Sequence, residues 1–208
     1  VKMTMEQIDV TKRLIDRFSD DMAFAETADD VENAIAEGKI AGMLGMEGGH
    51  SIGSDLGVLR QMYTLGARYM TLTHSKNTPW ADSATDAPVH GGLSEFGKDV
   101  VREMNRIGIL VDLSHVSEEA MMDALDVARA PVIFSHSGAR AVNGHSRNVP
   151  DTVLMRLPEN GGIVMVDAVP GYLNEERRLW FAEGYSRLKP TSCIYACESK
   201  FCGEMALN

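Results

Sequence analysis

Short apolar runs alternate with longer amphipathic segments along most of the chain. Each run has four to eight residues and is rich in β-branched side chains, as in strands buried in a parallel sheet. The segments between the runs start at capping residues and repeat apolar positions every three to four residues, as helices do. Six strands are predicted: Met22–Ala25, Lys39–Met46, Arg68–Thr73, Ile109–Leu113, Pro131–Phe134 and Gly162–Val166.

Seven helices are predicted around these strands: Thr4–Phe18, Thr27–Ala36, Asp55–Leu65, Ser94–Ile107, a helix within Val116–Ala130 capped by Ser117, Asp151–Leu157 and Asn174–Leu188. One long loop, Ser75–Gly92, interrupts the alternation, and loops of this length are typically functional or mobile. Strands that alternate with helices predict a parallel sheet.

The absence of nucleotide-binding motifs and the number of strands narrow the choice among parallel α/β folds. A dinucleotide fingerprint and a P-loop are both absent from the sequence, so a nucleotide-binding doubly wound sheet has no support. A (β/α)₈ barrel has eight strands in about 250 residues. Six strands in 208 residues predict an α/β fold of the TIM type that is incomplete, with about six of the eight strands.

Composition limits the partners of the protein. The formal net charge of −10 argues against binding to nucleic acid, which requires an excess of basic residues. We expect no membrane span, because no apolar run approaches 20 residues. Residues 1–7 lack a signal-peptide core, so we expect a soluble chain whose compartment, cytoplasmic or secreted, stays open. The three cysteines all lie in the last 16 residues, so the domain does not rely on disulfides.

Four successive strands lead into a residue that can bind a metal or transfer a proton: Glu47, His74, His115 and His136. The carboxyl ends of parallel strands are where ligands bind in α/β barrels. A single histidine at such a position is more often structural, but four consecutive strand ends favour a shared site. Imidazole and carboxylate groups suit zinc and related divalent ions.

Other polar residues have weaker patterns. Arg147 follows a strand-end loop at the same mouth, where it could bind a carboxylate or form a salt bridge. Asp112 alternates with apolar neighbours, which indicates a buried structural carboxylate or a partner of the metal ligands. The remaining histidines have loop positions and no comparable spacing: His50, His90 and His145.

Several longer motifs surround these residues: Gly45–Gly48, Leu72–Asp82, Gly91–Ser94, Val111–His115, Ser135–Ser137 and Arg147–Asp151. With these motifs, roughly residues 1–185 resemble the membrane (renal-type) dipeptidases, which are zinc enzymes with a (β/α)₈ fold. The resemblance implies hydrolysis of a dipeptide by metal-activated water.

The resemblance also implies a role for each matching residue. Glu47 matches the carboxylate that bridges two zinc ions, and His115 and His136 match the histidines that complete the second zinc site. His74 matches a catalytic histidine that contacts the substrate and stabilises the tetrahedral intermediate. Arg147 matches the residue that holds the C-terminal carboxylate of the dipeptide. Because the family is often dimeric, a homodimer is a possible assembly.

Two family motifs are absent from the sequence. One is a His-x-Asp pair on the first strand, which supplies two ligands of the first zinc, and the other is an aspartate motif on the last strand. We therefore expect one or two zinc ions and weak or no turnover by this chain alone. The resemblance implies a barrel fragment, residues 1–188, that is truncated at both ends, and a tail at 189–208 without family resemblance.

Two alternative functions stay open. The first is another metal hydrolase related to the amidohydrolases, acting on a lactone, an ester or an N-acyl amino acid. The second is a non-catalytic barrel remnant that binds a metal or a partner. The loop motif Asn77–Asp82 and Arg147 favour the dipeptidase, whereas the missing His-x-Asp motif favours the remnant.

Overall fold

The computed structural model describes residues 1–187, in which helices alternate with parallel strands. In chain order the elements are α1 (Lys2–Arg17), β1 (Met22–Phe24), α2 (Ala28–Ala36), β2 (Ile40–Gly42), β3 (Leu44–Glu47), α3 (Leu56–Thr64), β4 (Ala67–Thr71), α4 (Glu95–Ile107), β5 (Leu110–Asp112), α5 (Glu118–Val127), β6 (Ile133–Phe134), α6 (Asp151–Leu154), α7 (Leu157–Asn160), β7 (Ile163–Val164), α8 (Pro170–Leu173) and α9 (Glu175–Arg187). The predicted tail at 189–208, with its cysteines, lies outside the described residues.

All strand pairs are parallel, and the strand order follows the chain. Five strands form the main sheet in the order β3-β4-β5-β6-β7, while β1 pairs with β2. Successive parallel neighbours joined by helices are the repeating unit of a (β/α)₈ barrel. The predicted α/β class is confirmed. Within the described residues no helix combines the length and apolar character that a membrane span requires.

Two predicted elements are divided in the structure. The predicted strand Lys39–Met46 forms β2 and β3, separated at Met43, because β2 pairs with β1 and β3 pairs with β4. The predicted helix Asp151–Leu157 is also wrong as a single element. It ends at Leu154, and a new helix begins with Pro158 in its first turn, where the missing N–H of proline is tolerated.

The centre of the main sheet is the best-buried part of the fold. Met70 of β4, Val111 of β5 and Phe134 of β6 are all fully inaccessible. Helices α3, α4 and α5 contribute the apolar side chains that belong to the same core. This packing places the carboxyl ends of β3 to β6 on a rigid support, which is what a catalytic or metal site requires.

The long loop between β4 and α4 is tied to the strand ends by specific contacts. Trp80 is buried at 1% exposure, and the Asp82 carboxylate accepts hydrogen bonds from three backbone N–H groups, those of Val89, His90 and Gly92. Burial alone would raise the pKa of Asp82, but these backbone donors outweigh it and lower the pKa. The loop is therefore a hydrogen-bonded cover at the carboxyl end of the sheet.

Candidate metal centre

Glu47 is the last residue of β3, and two glycines allow the sharp turn that follows it. Gly48 has a φ of +107°, in a region that L side chains rarely adopt. A Cβ on Gly49 would lie 2.4 Å from the Trp80 ring and 2.5 Å from the Leu72 carbonyl oxygen. The two glycines therefore permit the close packing of this turn against Trp80 and leave the Glu47 carboxylate at the end of the strand.

His115 follows β5 in an unusual backbone conformation. Its φ of +72° is one of two positive values at non-glycine positions within residues 1–187, and such a conformation costs about 1–3 kcal/mol. The loop cover holds this conformation, because the Ala84 N–H and the Ser83 hydroxyl donate to the His115 carbonyl oxygen at 2.8 and 3.3 Å. The hydrogen bonds of the cover thus help to determine where the imidazole points.

Three predicted ligands converge at the end of the sheet. The His115 Nε2 lies 3.1 Å from the Glu47 Oε1, and the His136 Nε2 lies 3.3 Å from the same oxygen. The two Nε2 atoms are 2.9 Å apart. The side chain of His115 is nearly buried at 7% exposure, whereas those of His136 and Glu47 are 33% and 54% exposed. The cluster therefore has a buried side and an open side.

His74 lies on the open side of this cluster. Its Nε2 is 3.8 Å from the Glu47 Oε1, and its ring centroid is 4.4 Å from that of His115. The side chain is 45% exposed. His74 is thus a neighbour of the three convergent ligands, within reach of a molecule that approaches from solvent.

A cavity of about 430 Å³ borders the cluster; its lining consists of Gly45, Glu47, Tyr69, Thr71, Ser135 and His136. The Tyr69 ring occupies the place that a side chain at position 45 would need, since a Cβ there would lie 1.9 Å from the Tyr69 Cζ. Burial, followed by the charges of Asp112 and Glu47, raises the pKa of Tyr69. The phenol therefore stays protonated beside the site.

Arg147 lies beneath the cluster. It is 2% exposed, its Nε donates to the His115 Nδ1 at 3.0 Å, and its Nη1 faces the His136 carbonyl oxygen at 3.5 Å. A guanidinium can only donate, so the His115 Nδ1 must be an acceptor. A neutral His115 then carries its proton on Nε2, where it faces Glu47 and His136.

Electrostatics keep the cluster ready for a cation. The neighbouring imidazoles, first that of His115 and then that of His136, hold the pKa of Glu47 well below its usual range. Burial lowers the pKa of His115, and the charge of Arg147 acts in the same direction. The carboxylate is therefore ionised and His115 neutral, which are the forms that bind metals.

The chemistry of these residues fits a metal ion. Two imidazole nitrogens and a carboxylate oxygen lie within 4.8 Å of one another. Zinc bonds of about 2.0–2.1 Å in a tetrahedron place neighbouring ligand atoms about 3.3–3.4 Å apart, close to the separations observed. One adjustment is needed, because a metal on the His115 Nε2 must displace the proton there.

Several neighbours of the site were not assigned a role from the sequence. Tyr172 of α8 is 3% exposed, and its ring lies 4.5 Å from the His145 ring and 5.4 Å from the Arg147 guanidinium carbon. Ser135 contacts the His136 ring. No spacing rule could find Tyr172, because α8 packs here only through the fold. His50 and His90 instead hold backbone carbonyls of the loop cover.

Comparison with known proteins gives a consistent result. Residues 1–189 match the family model described as membrane dipeptidase, peptidase family M19. The chain is 54% identical over 174 residues to dipeptidase tcpJ of Claviceps purpurea (strain 20.1), which covers 83% of this chain and 41% of that protein.

Solved structures with the same fold include two bacterial proteins. The probable dipeptidase PvdM of Pseudomonas aeruginosa superposes with a TM-score of 0.77 at 29% identity, covering 80% of this chain and 44% of that one. A metallopeptidase of Rhodobacter sphaeroides, bound to a phosphinate mimic of L-Ala-D-Ala, gives a TM-score of 0.70 at 32% identity, covering 76% and 46%. The chain thus spans less than half the length of these relatives, and the predicted incomplete barrel is confirmed.

Proposed function

Because the chain belongs to the membrane dipeptidase family, peptidase family M19, we propose that its metal centre serves the hydrolysis of dipeptides. The observation that carries this proposal is the convergence of Glu47, His115 and His136 at the carboxyl end of the sheet. We propose zinc as the metal, since two imidazoles and a carboxylate with room for water are typical of catalytic zinc sites. The bound metal would activate water and polarise the peptide carbonyl.

Each predicted residue then has a specific task. Glu47, His115 and His136 would hold the metal. His74, half exposed and 3.8 Å from Glu47, would donate to the carbonyl oxygen of the substrate as negative charge develops there. The adjoining cavity of about 430 Å³ has the size of a small-ligand pocket.

Arg147 is proposed to attract the C-terminal carboxylate of the dipeptide. Its present bond to His115 and its 2% exposure mean that the guanidinium must move outward to form a direct contact. If the His115 Nε2 held a metal, its Nδ1 would carry the proton and could no longer accept from Arg147, which would free the guanidinium.

The proposed site lies within residues 1–188, and we propose that residues 189–208 take no part in it. One zinc ion per chain is expected, because the sequence has no His-x-Asp motif to supply a second site. Homodimerisation, which the family resemblance implies, stays a prediction that sedimentation analysis would test.

The test measures zinc content and the hydrolysis of an alanine- or glycine-containing dipeptide by the 208-residue chain. The variant is His136→Ala, and the matched control is His90→Ala, which removes an imidazole from the loop cover. We expect about one zinc per chain and slow hydrolysis, both lost in His136→Ala and retained in the control. A chain that binds no zinc would overturn the proposal.

The same assay, repeated with an ester and a lactone as substrates, separates the alternative functions. Zinc binding with hydrolysis of an ester or lactone, but not of a dipeptide, would assign the chain to another group of metal hydrolases. Zinc binding without any turnover would indicate a remnant that only binds metal. About two zinc ions would reveal ligands beyond the three convergent residues.

A further inference from the structure

A buried carboxylate is linked through Ser135 to the ring of His136, one of the partly exposed residues of the metal centre. Asp112, at the end of β5, is completely inaccessible, and its two oxygens accept four hydrogen bonds. Oδ1 accepts from the backbone N–H groups of Ser114 and Ser135, both at 3.0 Å. Oδ2 accepts from the hydroxyls of Thr71 at 2.8 Å and Ser135 at 2.5 Å. Asp112 thus joins the ends of β4, β5 and β6.

The direction of these bonds determines the proton position on His136. A carboxylate without a proton only accepts, so the single proton of the Ser135 hydroxyl points to Asp112. The Ser135 Oγ also lies 2.7 Å from the His136 Nδ1, and with its own proton committed it must accept there. His136 therefore carries its proton on Nδ1. Its Nε2 is left with a lone pair directed at Glu47 and His115.

We propose that Asp112 and Ser135 are positioning residues that hold His136 in the tautomer and orientation required to bind the metal. The inference rests on the proposed metal centre and extends it to two side chains that touch neither metal nor substrate. Such partners orient metal-binding histidines in many proteins, and their loss typically lowers metal affinity about 10–100-fold.

A purely structural role for Asp112 is the competing explanation, since its bonds to Thr71 and two backbone groups also join three strands. The two explanations differ in what Asp112→Asn does to His136. The two backbone donors require the amide oxygen on their side, so the amide NH₂ must face the Ser135 hydroxyl. Ser135 then turns its proton to the His136 Nδ1. The His136 proton moves to Nε2, where it blocks the metal.

The experiment compares Asp112→Asn and Ser135→Ala in the 208-residue chain. The matched control is Ser137→Ala, which removes a buried hydroxyl from the same strand end that contacts Ser114 and not the His136 ring. Zinc affinity is measured by competition with a chromophoric chelator. Histidine ring ¹⁵N shifts in the metal-free protein report the tautomer of His136, and thermal unfolding reports stability.

We expect zinc affinity to fall about 10–100-fold in Asp112→Asn, about 10-fold in Ser135→Ala and less than 2-fold in the control. The ¹⁵N shifts should show the proton on Nδ1 in the unmodified chain and on Nε2 in Asp112→Asn.

An unmodified chain that binds no zinc would refute the metal centre itself. A second outcome would refute only the positioning role of Asp112 and Ser135. In that outcome the unmodified chain binds zinc, but the variants bind it equally well or Asp112→Asn keeps the His136 proton on Nδ1. If Asp112→Asn does not fold, the same readouts in Ser135→Ala decide the question.

Discussion

The ends of β5 and β6 each present a histidine to the same point, but the surroundings of the two rings are opposite. The His115 ring meets a buried cation, because the Arg147 Nε donates to its Nδ1. The His136 ring meets a buried anion, because its Nδ1 leads through Ser135 to Asp112. One ring therefore presents an N–H at the centre of the cluster, and the other presents a lone pair.

This difference gives the two rings complementary donor and acceptor roles at the centre of the cluster. The proton on the His115 Nε2 satisfies both the Glu47 carboxylate and the lone pair of His136. A continuous series of donors and acceptors thus runs from Arg147 to Asp112. A metal held on the His115 Nε2 would require that proton to move to Nδ1, the nitrogen that faces Arg147.

The largest expected effect comes from Glu47, which both histidines face. Glu47→Gln keeps the shape of the side chain but removes its charge, so zinc affinity should fall at least about 100-fold, more than for a residue that does not touch the metal. Equilibrium competition with a chelator would measure the change. Glu95→Gln, which alters an exposed carboxylate at the start of α4, is the control and should bind zinc normally. An unchanged affinity in Glu47→Gln would mean that the two histidines alone define the site.

An intermediate effect of opposite sign is expected at Arg147. Arg147→Gln removes a cation beside His115, so zinc should bind about 3–10-fold more tightly, while the KM for a dipeptide should rise about 10-fold or more. Chelator competition and steady-state kinetics measure the two quantities separately. Arg156→Gln is the control, because that arginine pairs with Asp126 away from the cluster. Weaker zinc binding in Arg147→Gln would contradict the asymmetry between the two rings.

The smallest effect concerns pH and the burial of His115. Burial lowers the pKa of His115 in the folded state below the ordinary value of 6.5. At pH values between the folded-state pKa and 6.5, the folded state therefore binds fewer protons than the unfolded chain. The free energy of unfolding of the metal-free protein should therefore rise with pH up to about 6.5 and then level, by at most about 1.4 kcal/mol per pH unit. Urea unfolding between pH 5 and 8 measures this slope. His115→Gln should flatten it, and equal slopes in the two proteins would exclude the buried neutral ring as its source.

Most of the fold followed from local pattern. Capping residues marked helix starts correctly where a polar side chain precedes an apolar repeat, as Ser94, Ser117 and Thr27 do. The predicted element boundaries were wrong where strand pairing or tertiary packing determined where an element ends. The run Lys39–Met46 reads as one strand, yet its two halves pair with different neighbours, which no local pattern reveals.

The sequence by itself determined which residues reach the mouth of the barrel, because parallel strands bring their carboxyl ends to one edge. Glu47, His115 and His136 were identifiable on that ground, and the structure brings them together. Only the tertiary structure decided how the two Ser-His motifs differ. The two sequences are identical, but the Ser114 hydroxyl accepts from the His136 N–H, and the His115 ring accepts from Arg147. The Ser135 hydroxyl, in contrast, bonds the ring of the adjacent His136. Proton positions depend on partners from other strands and loops, and those partners are chosen by packing rather than by neighbours in the chain.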